Sequence, residues 1–152
     1  MPKIYLVGGI GGLTYTKATE WRNEVKRAFV GLAECLDPMR GKDDALEGSE
    51  SMQDSYEGFL LCQRKAICAR DLNDIRRADL TLANFLGVQM ISRNSLFELG
   101  FAVALSKPII VVSEPDNFNL CSFVAESAAA VMPFLQEGIE AAKSFLNVGG
   151  LR

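Results

Sequence analysis

The carboxylate of Glu98, in the segment Ser95-Leu96-Phe97-Glu98, is a candidate catalytic group. One interpretation is structural, because S-x-x-E is the form of a capping box, in which Glu98 returns a hydrogen bond to the start of a helix. The other is chemical. In the first turn of a helix that follows a buried strand, the helix dipole favours an ionised carboxylate. Such a carboxylate can attack an anomeric carbon and form a covalent glycosyl-enzyme. The motif alone leaves both interpretations open.

The sequence contains no histidine. This excludes Ser-His-Asp and Cys-His nucleophile systems and the common histidine-based metal centres. Cys35, Cys62, Cys68 and Cys121 are scattered without a CxxC pair, so we expect reduced thiols rather than a zinc site or disulfides. Catalysis would depend on carboxylates, hydroxyls, tyrosine or lysine, and we expect neither a metal nor a cofactor.

Charge and hydropathy limit the kinds of molecule that the protein is expected to bind. The 152 residues carry 16 Lys and Arg against 19 Asp and Glu, a net charge of -3. No basic run would follow a phosphate backbone, so we expect a small-molecule ligand and no nucleic acid. Residues 1–7 lack the features of a signal peptide, and no apolar stretch approaches membrane-spanning length. We therefore expect a cytoplasmic protein that does not bind membranes.

Strand and helix patterns alternate along the chain. Apolar runs predict strands at 3–7, 34–36, 79–85, 108–112 and 128–131, and helical spacing predicts helices at 16–34, 58–77, 95–105 and 134–146. The polar stretch 39–55 is long for a connection, and we interpret it as a lid. The pattern predicts an α/β fold: one doubly wound, flavodoxin-like parallel sheet with helices on both faces, in a single domain over residues 1–152.

Ligands of such sheets bind beyond the carboxyl ends of the strands. We therefore expect the loops 8–12, 85–93 and 113–119 to surround one site. The run Gly8-Gly9-Ile10-Gly11-Gly12 is either a tight turn or a place where backbone N–H groups approach ligand oxygens. On the second interpretation Gly8, Gly9 and Ile10 bind substrate. The glycine spacing fits neither a P-loop nor G-x-G-x-x-G, which disfavours an adenylate- or flavin-dependent enzyme.

Several segments together, in this order, resemble the nucleoside 2-deoxyribosyltransferase family along almost the whole chain. Residues 4–10 resemble its opening strand and glycine loop, and residues 70–79 its D-L-x-x-I-x-x-A-D segment. Residues 95–102 resemble its F-E-L-G-x-A helix, which is followed by a matching Lys107-Pro108 and strand.

The resemblance implies roles for three residues. Glu98 falls on the nucleophile, Asp71 on the carboxylate associated with proton handling at the leaving base, and Tyr5 on a tyrosine near the nucleophile. From the residues themselves, Asp71 could equally be a solvated helix residue paired to Arg70 or Arg76. Tyr5, on a buried strand, would more often be a core residue whose hydroxyl needs a partner.

The chain departs from the family pattern just before Glu98. Transferases of plain deoxynucleosides usually have an aspartate there, whereas this chain has Ser92-Arg93-Asn94. The 2'-deoxynucleoside 5'-phosphate N-hydrolases of the same superfamily are similar in having a serine, which receives a phosphate that an aspartate would repel. We expect Ser92 and Arg93 to bind phosphate, Ser122 to be a second phosphate contact and Asn119 to reach a sugar hydroxyl. The alternative for Ser92 and Arg93 is a loop that leads into a helix. The alternative for Ser122 is a hydroxyl at a helix N-terminus, and for Asn119 a residue that stabilises a turn.

The sequence thus predicts an enzyme that cleaves the N-glycosidic bond of 2'-deoxynucleosides or their 5'-monophosphates through a covalent glycosyl-Glu98 intermediate. The sugar would pass to another base or to water. The alternative is a non-catalytic nucleotide-binding module of the same fold. The family's sites are commonly completed by a neighbouring subunit, which implies a homo-oligomer with shared active sites, to which the loop 113–122 contributes in trans.

Overall fold

The computed structural model describes residues 1–42, 46–53, 55–117 and 120–150. Five parallel strands form one sheet in the order β2-β1-β3-β4-β5. The strands are β1 (Lys3–Gly8), β2 (Glu34–Leu36), β3 (Leu80–Asn84), β4 (Ile109–Val112) and β5 (Ala130–Met132). This is the flavodoxin-like strand order, and the predicted fold class is confirmed.

Helices cover both faces of the sheet. They are α1 (Tyr15–Ala28), α2 (Arg64–Arg77), α3 (Arg93–Ala104), α4 (Ser122–Ser127) and α5 (Leu135–Leu146). Side chains of β1 alternate between the faces. Ile4 packs in a core with residues of α1 and α5, whereas Tyr5 packs in a second core with residues of α2, α3 and α4. None of the described helices is long and apolar enough to cross a membrane.

Several predicted boundaries were wrong, and glycines explain two of them. Helix α1 ends at Ala28 rather than near residue 34, because Gly31 takes a positive φ of 73° and turns the chain towards β2. Gly58, with φ 82°, and a 3-10 turn at Leu60–Cys62 precede α2. The short helix α4 was expected only in the alternative that makes Ser122 a helix N-terminal hydroxyl, and β5 begins two residues later than expected.

The crevice of this fold lies between β1 and β3, where the chain connections leave the sheet in opposite directions. The packing there requires a glycine at position 8. A Cβ on Gly8 would lie 2.7 Å from Cζ2 of Trp21 and 3.0 Å from the carbonyl oxygen of Asn84. Gly12 has a φ of 76°, a left-handed conformation that the turn after β1 requires and that glycine adopts readily. The carboxyl end of β1 is thus held close both to α1 and to β3.

Candidate active site

A cavity of about 680 Å³ opens beyond the carboxyl ends of β1 and β3. Its walls are the glycine loop, several of the described residues between 38 and 56, one side of α2, the loop after β3 and the start of α3. Both Asp71 and Glu98 line it. The fold therefore brings together two carboxylates that are 27 residues apart in the sequence.

Glu98 is not a helix cap. Helix α3 begins at Arg93, and the N-cap is Ser92, whose Oγ accepts a hydrogen bond from the Ser95 N–H at 3.0 Å. Glu98 consequently lies in the second turn. Its Oε1 accepts a hydrogen bond of 3.0 Å from the hydroxyl of Tyr5. The capping-box interpretation of Ser95 and Glu98 is wrong, and so is the placement of Glu98 in the first turn.

The surroundings of Glu98 favour its neutral form. Burial, and then the negative charge of Asp71, raise its pKa to about 7, while the Tyr5 hydrogen bond and the Arg22 charge act in the opposite direction. We had expected the helix dipole to hold this carboxylate ionised. The dipole acts within the first turn, however, and Glu98 lies beyond it. Desolvation of the charge therefore dominates.

Tyr5 is both a core residue and a partner of the site. Its side chain is fully buried between β1 and the helices on that face. Burial and the neighbouring Glu98 raise the pKa of the phenol well above its usual value. The hydroxyl therefore stays protonated and serves as a fixed donor to Glu98.

Asp71 is buried on α2 with part of its carboxyl group unsatisfied. Only 6% of the residue is exposed, and its Oδ1 accepts no hydrogen bond, although the Arg70 Nε lies 3.6 Å away. Burial raises the pKa of Asp71 to about 6, against the lowering effects of Arg70 and Lys42. The alternative of a solvated helix residue is wrong. Arg76, its other suggested partner, lies instead over the ring of Phe101.

Arg22 is a component of the site that the sequence did not reveal. It is fully buried, and its guanidinium donates to the carbonyl oxygens of Gly8 at 3.0 Å and Gly9 at 3.3 Å. Its Nε lies 3.5 Å from the buried carboxylate of Asp37. The arginine thereby fixes the glycine loop from behind and brings a positive charge towards Glu98. In the sequence it looks like one of several charged residues on α1.

The segment 39–55 contributes to the cavity wall through its described residues. Met39, Lys42, Leu46, Met52 and Gln53 line the cavity. Met52 is joined to the glycine loop by two backbone hydrogen bonds, in which it accepts from Gly12 at 2.9 Å and donates to Leu13 at 2.8 Å. The sequence indicated a lid but assigned none of these residues a role.

Comparison with known proteins agrees with this geometry. Residues 4–132 match the family model described as nucleoside 2-deoxyribosyltransferase. The chain belongs to this family. A comparison with curated protein sequences finds no match.

Solved structures with the nucleoside 2-deoxyribosyltransferase fold include three with low sequence identity to this chain. A conserved protein from Enterococcus faecalis V583 has a TM-score of 0.67 and 13% identity over 95% of this chain and 98% of its own. A CMP N-glycosidase from Clostridium botulinum has a TM-score of 0.59 and 15% identity over 94% and 98%, respectively. A 2-desoxiribosyltransferase from Leishmania mexicana has a TM-score of 0.51 and 18% identity over 74% of this chain and 65% of its own. At these identities the likeness concerns the fold.

Six of the seven substrate-binding residues predicted for this family member lie in the described part of the chain, and they fall into two groups. Four of them line the cavity: Gly8, Gly9, Ile10 and Ser92. Arg93 and Ser122 are exposed and do not line it, and Asn119 lies outside the described residues. None of the described residues of the loop 113–119 lines the cavity either, contrary to our expectation. That loop contacts the site's border instead, where Glu114 accepts from the Gly87 N–H at 2.7 Å.

Proposed function

We propose that this family member cleaves the N-glycosidic bond of 2'-deoxynucleosides or their 5'-monophosphates, with Glu98 as the nucleophile. The observation that carries the proposal is the partly buried hydrogen bond between Tyr5 and Glu98, in one cavity with the carboxyl group of Asp71. Two carboxyl groups with different partners are what a double displacement at a sugar carbon requires.

In the first step an oxygen of ionised Glu98 bonds to C1' of the sugar. The bond from C1' to the base nitrogen breaks, and its electron pair leaves with the base. Asp71 gives its proton to the base, so the base departs neutral. In the second step a new base, or water, attacks C1' and displaces Glu98, while Asp71 takes up the proton that the acceptor loses. Attack by a new base is transfer, and attack by water is hydrolysis.

Burial suits the proton-handling role of Asp71, and Tyr5 offsets part of the burial that opposes ionisation of Glu98. A pKa of about 6 allows Asp71 to exchange a proton near neutral pH. The Tyr5 hydroxyl orients Glu98 and, by donating to it, lowers its pKa from the value that burial alone would impose. A poorly solvated carboxylate is also well placed to stabilise the positive charge that develops on the sugar.

The 5'-monophosphates belong in the proposal because Ser92 lines the cavity where the family usually has an aspartate. The fold is shared with a CMP N-glycosidase and with a 2-desoxiribosyltransferase, so both outcomes for the sugar are included. Arg93, Ser122 and Asn119 remain candidates for phosphate or sugar contacts.

We further propose a cytoplasmic homo-oligomer with shared sites. Met90 and Phe97 border the cavity and are 83% and 63% exposed, and Phe123, beside Ser122, is 83% exposed. A second copy that covered these side chains would close the cavity and could bring Ser122 to it. The four cysteines are free, as expected in a reducing compartment.

The test incubates the purified protein with deoxycytidine, deoxyguanosine and their 5'-monophosphates, each with and without free adenine or hypoxanthine, and follows the products by chromatography. A new adenine or hypoxanthine nucleoside indicates transfer. Free base and deoxyribose 5-phosphate, formed only from the monophosphates, indicate nucleotide hydrolysis. Glu98→Gln should abolish both, whereas Glu24→Gln, at an exposed position on α1, should not. Binding without turnover would support a non-catalytic module instead.

A further inference from the structure

Lys42 is a buried cation in the wall of the cavity. Only 5% of the residue is exposed, and it lines the cavity together with Asp71. In the described part of the chain, no hydrogen bond or ion pair engages its ammonium group. The stem of the side chain is buried, while the ammonium nitrogen keeps contact with the space of the cavity. Its donors are therefore available to a ligand.

The chain around Lys42 holds it in place. Arg70 of α2 donates to the carbonyl oxygens of Pro38 and Arg40. Arg40 in turn forms an ion pair with the buried Asp74, one turn further along α2. The Lys42 N–H closes a turn onto the Met39 carbonyl oxygen at 3.2 Å. The segment 38–42 is thus fastened to the helix that carries Asp71, and Lys42 is not a mobile surface lysine.

Lys42 lies on the leaving-group side of the cavity. Its positive charge acts on Asp71, as does the charge of Arg70. The positive charge that acts on Glu98 is that of Arg22, from behind the glycine loop. Since Asp71 handles the proton of the base in the proposed reaction, Lys42 faces the base rather than the attacked face of the sugar.

We propose that Lys42 donates a hydrogen bond to a carbonyl oxygen of the base and makes the site selective for oxo-bases over adenine. The inference rests on the proposed function for the orientation of the substrate. When the bond from C1' to nitrogen breaks, negative charge spreads onto a ring carbonyl, where an ammonium donor stabilises it. Adenine has an amino group and no carbonyl, so it cannot accept this hydrogen bond.

The experiment measures binding in a Glu98→Gln background, so that it does not depend on turnover. Deoxyinosine, deoxycytidine and deoxyadenosine, each with and without a 5'-phosphate, are titrated by calorimetry against Glu98→Gln alone and combined with Lys42→Met. We expect Lys42→Met to weaken binding of the oxo-nucleosides by about ten- to a hundredfold, the value of a hydrogen bond to a charged group. Binding of deoxyadenosine should change by less than about threefold on the same argument. Lys42→Arg, which keeps a donor, should restore part of the preference.

Lys65→Met is the matched control, since Lys65 is exposed on α2 and does not line the cavity. Melting temperatures show whether each variant is folded. An equal loss for oxo-bases and adenine, a loss only for phosphorylated ligands, or no binding of any oxo-nucleoside would each overturn the inference. Selective binding that depends on Lys42, in a wild-type protein without turnover, would sustain the inference and refute the proposed cleavage.

Discussion

Replacing Glu98 with glutamine should abolish activity and at the same time stabilise the fold at neutral pH. Burial raises the pKa of Glu98 from 4.5 to about 7, so ionising the folded-state carboxyl costs about 3 kcal/mol more than ionising it in the unfolded chain. Because the folded-state pKa is the higher one, the protonated Glu98 carboxyl favours the folded state. This stabilisation is fully present below pH 4.5 and is lost as the pH rises through about 7. A glutamine can still accept from Tyr5 but never ionises.

The assay is thermal or urea unfolding of wild type, Glu98→Gln and the exposed control Glu24→Gln between pH 5 and 8. Near pH 5 the Glu98→Gln protein should unfold close to the wild type. By pH 8 it should be more stable by up to about 3 kcal/mol, with each kcal/mol adding roughly 2–4 °C to Tm in a chain of this length. The control should show no such divergence. A Glu98→Gln protein whose stability relative to wild type is the same at both pH values would refute the burial of this carboxyl.

Four further results are expected. The pH profile of kcat/KM should be bell-shaped with its maximum between about 6 and 7, the pKa values of Asp71 and Glu98; a flat profile over pH 5–8 would contradict the roles of the pair. Tyr5→Phe removes the hydrogen bond that lowers the Glu98 pKa; because that pKa already lies above the one of Asp71, the basic limb of the profile should move to higher pH, and kcat/KM at the maximum should fall by about tenfold. Asp71→Asn should slow substrates with poor leaving bases far more than an N7-methylated purine nucleoside, whose base leaves unprotonated; equal losses in a single-turnover assay would exclude proton donation. Gly8→Ala should destabilise the fold by about 1–3 kcal/mol through its clash with Trp21, and an unchanged urea midpoint would show that the packing relaxes freely.

The architecture was largely predictable, because continuous apolar runs at positions such as 109–112 are typical of strands buried on both faces. The boundaries were less so. Helical spacing continues past Ala28 in the sequence, and only the conformation of Gly31 shows where the helix ends. The six-residue α4 has too few positions for a period to be recognised.

The candidate site was predicted in part. Glu98, Asp71 and Tyr5 could be named through the resemblance, but the contact between Tyr5 and Glu98 joins residues 93 positions apart, and no local pattern contains it. Two buried cations were missed for a common reason. Arg22 and Lys42 lie among charged residues in the sequence, and their burial depends on contacts between distant segments. Arg93 was predicted to bind phosphate because it follows Ser92, although its side chain is exposed and does not line the cavity.

In the proposed mechanism Glu98 becomes covalently bonded to the sugar, and this ester can be trapped. A substrate carrying fluorine at C2' of the sugar slows release of the glycosyl-enzyme, because the fluorine destabilises the positive charge of the transition state. After a brief incubation and digestion, mass spectrometry should find the fluorosugar on the peptide containing Glu98. The adduct should be lost on longer incubation, to free base if the enzyme is a transferase or to water if it is a hydrolase, and it should be absent from Glu98→Gln. Turnover of the natural substrate with no adduct, or an adduct on another residue, would contradict a covalent mechanism through Glu98.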